Sequence, residues 1–203
     1  DLLPELPLTR TVGRERCSEL SRLAAGDATW PLATGAGRLF EAAGALLGLV
    51  ERNDWEGEAA VILESLAAAW AGEVEVWPLP PHELAGVPVL PSAGLLLEAA
   101  RRLLGGEPAE SIAASFHATF CALAVELTRR AGHGMAVALG GGCLVNRLLR
   151  DGLRTGLEEA GFEPLLATAV PPGDGGLAYG QAVIAAVAGA RGAEPSALAD
   201  LAR

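Results

Sequence analysis

The chain contains no lysine: all 15 of its basic residues are arginine. Without that amine, neither a Walker-type phosphate loop nor Schiff-base chemistry can be assembled from its own residues. Basic residues are also outnumbered, 15 against 25 acidic, for a net charge of -10. This balance argues against the broad cationic footprint of a nucleic-acid binder, and no nucleic-acid partner is expected. A single bound nucleotide remains compatible, because backbone N–H groups hold phosphate without formal charge. Cysteine is scarce: Cys17, Cys121 and Cys143 lie far apart with no CxxC pair. That speaks against a zinc ribbon or a disulfide framework and for a reducing cytoplasm. No apolar run of about 18 residues is free of charges and breakers, so no membrane span is expected. The opening DLLPELPLTR lacks the pattern of a signal peptide, and the missing initiator Met raises the expectation of a fragment or a processed product. Aromatics make up only 4% of a chain that is 51% hydrophobic. The core must therefore be built from Leu, Ala and Val, with helix outweighing strand.

Residues 1–16, with Pro4 and Pro7, read as an extended entry, followed by a short helix over 17–25. A turn over 31–35 has Thr34 as a candidate cap. Apolar residues at helical spacing (Leu39, Phe40, Ala43, Leu46, Leu47) predict a helix over 37–50, and another is expected over 58–71. Between them, Trp55-Glu56-Gly57-Glu58 forms a loop-to-helix junction. Residues 73–92 carry five prolines and two short β-leaning pieces, VEVW and VPVL, and mark the best internal boundary. Helices follow over 93–104 and 107–131, then a strand over 135–139.

The most informative stretch runs from Leu139 to Ala186. It reads as strand, glycine turn, helix, strand, glycine-aspartate turn, helix. Gly140, Gly141 and Gly142 form the first turn, with Asn146 expected one turn into the helix. Gly173-Asp174-Gly175-Gly176, after Pro171-Pro172, forms the second. A glycine turn that opens a helix can bring bare N–H groups and a positive dipole end to a phosphate. It can equally be a tight connection that needs only positive φ. Asn146 could offer a ligand both a donor and an acceptor, or stand idle on a helix surface. Asp174 could be an N-cap or a hard oxygen ligand for a divalent metal. Glu41 could pair with Arg38 on the helix surface or accept both hydroxyls of a ribose. Cys143, near a helix N-terminus, is either a thiol of lowered pKa or a small buried filler. His82, His117 and His133 show no metal-ligand spacing and are expected to be structural or solvated. No GxSxG elbow or Ser/His/Asp order is present, which argues against a hydrolase triad.

Four ordered blocks carry a family resemblance: GAGRLFEAAGALLGL at 35–49, WEGEAAVILESLA at 55–67, ESIAASFHATFCALAVEL at 110–127, and the tail 140–186. Together they resemble the C-terminal, TsaD-like domain of the HypF carbamoyltransferases, over roughly residues 30–190. The resemblance implies a helix-rich α/β fold, the second lobe of an actin-like ATPase (ASKHA) with helical insertions and without its first lobe. It implies a division into an N-terminal helical segment, 1–85, and the nucleotide-binding part of the same domain, 86–203. It further implies an enzyme, cytoplasmic, acting in nickel–iron hydrogenase maturation. Carbamoyl-adenylate, made from carbamoyl phosphate and ATP in a YrdC-like domain, would pass its carbamoyl group to the C-terminal cysteine of a HypE-type acceptor. Nearest alternatives are an O-carbamoyltransferase of the same group and a non-catalytic nucleotide-binding or scaffold lobe able to self-associate.

By position, the resemblance assigns Glu41 to ribose contact, Glu58 to a nucleotide-contacting position, Gly141 and Gly142 to the phosphate-side turn, Asn146 to the nucleotide and Asp174 to a divalent metal. Two departures matter. The family's HHxxH-like metal ligands, from the preceding lobe, are absent here, as are the YrdC-like, acylphosphatase-like and zinc-finger regions. Gly140 stands where Ser is usual and Gly173 where Asn is usual, which should loosen the turns. The chain is expected to be unable to complete the reaction alone.

Overall fold

A computed structural model of the chain describes residues 5–25, 35–132 and 134–190. Most of the expected 31–35 turn, including Thr34, together with His133 and the Ala-rich tail from 191, lies outside the described residues. The expected extended entry is instead a helix from Pro7. Helix α1 (Pro7–Val12) starts on that proline, whose missing N–H would have no intrahelical partner at this position anyway. Gly13, at φ 86°, separates it from α2 (Arg14–Ala25).

Helices α3 (Ala36–Leu46) and α4 (Glu58–Ala69) follow the apolar periodicity. The first stops short of Val50, with Gly48 turning out at φ 75°. A short antiparallel hairpin, β1 (His82–Leu84) and β2 (Val87–Val89), leads to α5 (Ser92–Leu104) and the long α6 (Ala109–Ala131). Of the two β-leaning pieces, VPVL contributes β2, but VEVW forms no strand. Its backbone donors go to hydroxyls on α6 instead: Glu75 N–H to Ser115 Oγ at 3.1 Å and Trp77 N–H to Thr119 Oγ1 at 2.9 Å. Arg102 lies over the buried Trp77 ring, 5.1 Å from its centroid, and pairs with Glu75, Glu98 and Glu107. This holds the proline-rich stretch against the α5 and α6 helices.

The core is organised around α6, which is buried without interruption from Ser111 to His117. Phe40 of α3 sits among the Phe116, His117 and Phe120 rings at centroid distances of 5.0–5.3 Å. Leu63, Leu95 and Ile112 are fully enclosed in the same cluster. By length and composition alone α6 could cross a membrane, but 61% of its apolar window is buried inside the molecule. Its hydrophobicity is explained by its place in the core.

The last part alternates strand and helix as expected. Strand β3 (Ala136–Leu139) pairs in parallel with β4 (Glu163–Leu166), and α7 (Arg147–Glu159) makes the crossover between them. Leu149, Leu153 and Leu157 bury one face of α7. A Cβ on Gly152 would meet Cys121 Sγ at 2.9 Å, and one on Gly156 would meet Val125 Cγ2 at 3.0 Å. These two glycines therefore allow α7 to lie close against α6. Helix α8 (Leu177–Ala190) closes the described chain, with Leu177, Tyr179 and Ile184 exposed. The 85/86 division falls in the turn of the β1–β2 hairpin, and helices from both sides share one core.

Filling the α6–α7 contact should be costly. Gly152→Val is expected to lower stability by about 1–3 kcal/mol through overpacking, seen as a lower urea midpoint at unchanged slope. Gly180→Ala, on α8 with open space around the added methyl, should be neutral or stabilising.

Candidate functional site

The two glycine turns lie against each other. Gly141 donates its N–H to the Pro172 carbonyl at 2.7 Å. A Cβ on Gly173 would stand 3.0 Å from Gly142 Cα and 3.3 Å from Gly142 N. A Cβ on Gly176 would collide with the Pro171 carbonyl oxygen. Gly141 itself adopts φ 101°, ψ 158°, a conformation open in practice only to glycine. Glycine at 173 thus permits backbone-to-backbone contact and tightens the pair, the reverse of the loosening expected from its replacement of Asn.

Each turn enters a 3-10 segment before its helix: Gly142–Val145 ahead of α7, and Asp174–Gly176 ahead of α8. This corrects two expectations. Asn146 is not inside the helix; at φ -64°, ψ 116° it is the N-cap of α7. Nor is the α7 N-terminus bare. Asn146 Oδ1 accepts the Leu149 N–H at 3.0 Å, and Glu64 Oε1, from α4, accepts the Arg147 N–H at 2.7 Å. Gly141 likewise contributes conformation rather than a free donor, because Pro172 takes its N–H. N–H groups without partners inside their own turn belong instead to the first residues of the 3-10 segments, Gly142 and Asp174, both exposed.

The Asn146 carboxamide has a second bond that sequence reasoning missed. Its Nδ2 lies 3.1 Å from His117 Nε2, and His117 Nδ1 lies 2.7 Å from the Ala113 carbonyl oxygen. A carbonyl only accepts, so Nδ1 carries the proton and Nε2 accepts from Asn146. His117 is buried and structural, as one of its two readings has it; His82 is exposed on β1. A histidine just after a phenylalanine, on the apolar face of a long helix, was the available signal. What could not be read was the asparagine 29 residues away that meets it.

Glu41 and Glu58 form a second cluster. Glu41 pairs with Arg38 at 2.9 Å and accepts from Asn53 Nδ2 at 3.3 Å. Asn53 Oδ1 in turn accepts the Ala59 N–H at 3.2 Å, tying α3 to the start of α4. Glu58 accepts the Asp54 N–H at 2.6 Å and so shapes the loop before its own helix. Cys143 brings α3 to the first turn: a Cβ on Gly37 would lie 3.6 Å from its Sγ. Burial raises the Cys143 thiol above its ordinary value, the Gly37 and Cys143 N–H groups oppose, and the Glu41 carboxylate adds to the rise. The lowered pKa entertained for a thiol near a helix N-terminus is not what this environment gives. Cys121, deeper against α7, is pushed up to about 12 by burial.

Asp174 is exposed at the second turn, and among the described residues no group of three His, Cys, Asp or Glu side chains could hold a metal ion. Behind the first turn lies an apolar hollow of about 270 Å³ lined by Ala36, Phe120, Leu139, Gly140, Cys143 and Leu144 among others. A larger groove of about 620 Å³ runs between α6 and α7.

Comparison with known proteins matches residues 5–181 to the family described as Carbamoyltransferase, Kae1-like Domain, second subdomain. The carbamoyltransferase HypF of Rhodobacter capsulatus is 40% identical over 172 residues, covering 81% of this chain and 21% of that protein. The Rhizobium leguminosarum bv. viciae protein of the same name is 36% identical over 188 residues, covering 89% and 23%. Among solved structures, full-length HypF in its phosphate- and nucleotide-bound form superposes with a TM-score of 0.76 at 28% identity, covering 88% of this chain and 24% of that one. HypF of T. kodakarensis gives 0.72 at 26% identity. The chain thus spans about a fifth to a quarter of the length of these relatives.

The His117 environment sets a pH dependence. Burial holds the imidazole below its ordinary 6.5, against the opposing effect of its bond to Ala113. Below that value the unfolded chain takes up a proton that the folded chain refuses. Stability should therefore fall as pH drops from 6.5 toward the folded value, by at most about 1.4 kcal/mol per pH unit. Urea midpoints measured from about pH 7 to pH 5 should fall less steeply in His117→Gln than in the unsubstituted chain; equal slopes would remove His117 from this account.

Proposed function

Since the chain belongs to the HypF carbamoyltransferase family, through the Kae1-like second subdomain, we propose that it is one wall of a cleft that binds ATP or carbamoyl-adenylate and serves carbamoyl transfer. The observation that carries this is the backbone contact of the two glycine turns, which sets exposed Gly142 and Asp174 side by side at the ends of two strand-to-helix connections. The nucleotide- and phosphate-bound state of a structural neighbour supports the reading.

In the proposed reaction the thiolate of an acceptor's C-terminal cysteine, as in a HypE-type protein, attacks the carbamoyl carbon. A C–S bond forms, the C–O bond to the adenylate phosphate breaks, and AMP leaves with the electron pair. The thiol proton has already gone to solvent. This chain binds and orients. N–H groups at the starts of the two 3-10 segments meet phosphate oxygens. Asn146 offers what its carboxamide has left over. Glu41 keeps lone pairs for a ribose beyond those used by Arg38 and Asn53, and Glu58 fixes the loop beside it. No nucleophile is required of this chain, in keeping with the raised Cys121 and Cys143 thiols.

The divalent ion implied by the family would find a single exposed carboxylate here, Asp174. One carboxylate does not make a metal site, so this chain's residues do not fit the ion by themselves. The preceding lobe and a YrdC-like domain complete the cleft and supply the adenylate. A reducing cytoplasmic setting agrees with the three free cysteines. A scaffold reading has one observation in its favour, the exposed apolar side chains of α8, and would show as self-association without affinity for ATP.

Grafting this chain in place of the matching segment of the Rhodobacter capsulatus relative supplies a complete enzyme for the test. In that chimera, where the preceding lobe would bring further ligands to the Asp174 carboxylate, Asp174→Ala should abolish carbamoyl transfer while leaving carbamoyl-adenylate formation intact; normal transfer would remove Asp174 from the site. Glu41→Ala should weaken ATP binding by about tenfold in calorimetry, equivalent to roughly 1.4 kcal/mol. Unchanged affinity would leave Glu41 as a surface partner of Arg38.

A further inference from the structure

The geometry points to His117 as a positioning residue that fixes the Asn146 carboxamide in one orientation, so that one N–H and one carbonyl lone pair are held ready for a ligand beside the first glycine turn. The inference rests on the nucleotide reading for the identity of that ligand, but not for the fixation itself.

A carboxamide has two N–H donors and two carbonyl lone pairs, and rotating it by half a turn exchanges them. Two bonds remove that freedom here. The Leu149 N–H can only donate, so it claims one lone pair of Oδ1 at 3.0 Å. His117 Nε2 must accept, because Nδ1 is committed as donor to the Ala113 carbonyl at 2.7 Å, and it claims one hydrogen of Nδ2 at 3.1 Å. Turning the amide over would face Nδ2 with the Leu149 N–H, donor to donor, and Oδ1 with the unprotonated Nε2, acceptor to acceptor. Both contacts would be lost together. The orientation is therefore set from two sides, and half of the carboxamide's capacity is left over.

The support behind His117 is rigid. It is 3% exposed, it stands on the central helix, and its ring packs against Phe40 at a centroid distance of 5.0 Å. Asn146 is only half-buried, and its main chain directly follows the 3-10 segment that Gly142 opens. A half-buried polar side chain held by two bonds, with one donor and one acceptor unused, suits recognition of a ligand with one acceptor and one donor close together, such as a nucleoside monophosphate with its ribose hydroxyl. A helix cap alone would require only the Leu149 bond, and the His117 bond is what a cap leaves unexplained.

The fixation is read first without nucleotide, in the 15N-labelled 203-residue chain. Long-range proton–nitrogen correlation should show the Nδ1–H tautomer of His117, with slowed exchange of one Asn146 side-chain amide proton. An Nε2–H tautomer, or freely exchanging Asn146 amide protons, would overturn the proposal. His117→Gln restores an acceptor near Nε2, whereas His117→Leu keeps the volume and removes it. ATP affinity by calorimetry should stay within about threefold in His117→Gln and fall about tenfold in His117→Leu. Equal affinity in both would also overturn the proposal. If His117→Leu fails to fold, the tautomer and the His117→Gln titration decide. If the unsubstituted chain binds no ATP without its preceding lobe, the titrations are read in the chimera with the Rhodobacter capsulatus relative, where loss of ATP binding would sink the nucleotide reading, while the tautomer and the amide exchange still decide the fixation.

Discussion

Two backbone turns can touch only where no side chain stands between them, and the candidate site depends on that contact. Gly141 bonds to Pro172, and Gly173 lies on Gly142 so closely that an added methyl carbon would stand 3.0 Å from Gly142 Cα, tighter than an ordinary contact. Everything that gives the site a shape follows from this approach. Strands β3 and β4 pair in parallel, so both end on the same side, and each hands over to a 3-10 segment there. The parallel pairing brings the turns to one edge; the glycines let them meet.

The helical body holds that edge from behind. Buried α6 carries Ser115 and Thr119, which hold the proline-rich stretch, Phe116 and His117, which pack on α3, and Cys121 and Val125, which face α7. Glu64 reaches from α4 to the first N–H of α7. Two leading N–H groups of α7, those of Arg147 and Leu149, are thereby taken by side chains, and exposed donors remain one step earlier at Gly142. Capping and ligand binding compete for the same kind of N–H group, and here the protein divides them between adjacent segments.

Much of the fold was legible from residues alone, because periodicity and glycine punctuation are local signals. The helices over 36–46, 58–69, 92–104 and 109–131 and the alternating tail fall close to where the pattern puts them. Misreadings came where a distant partner decides. The 74–77 piece has strand character but satisfies its donors on α6 hydroxyls. Pro7 suggested extension, yet a proline suits a first helical turn equally well. For the candidate site, the sequence singled out Gly141, Gly142, Asn146 and Asp174. It could not show that Gly141's N–H is already used, or that His117 and Glu64 stand behind the site, since those bonds join residues 29 to 83 positions apart; the Asn146 cap of α7 is a local bond to Leu149 that helix-start signals could have located.

The central claim is that the joined turns present their leading N–H groups to a nucleotide. Amide hydrogen exchange of the 203-residue chain with and without ATP tests it most directly. The account predicts protection concentrated at Gly142, Cys143, Asp174 and Gly175, with the amides of Arg147 and Leu149, already bonded, unchanged. Protection confined to the α6–α7 groove, or no protection at the turns while ATP is bound, would contradict it.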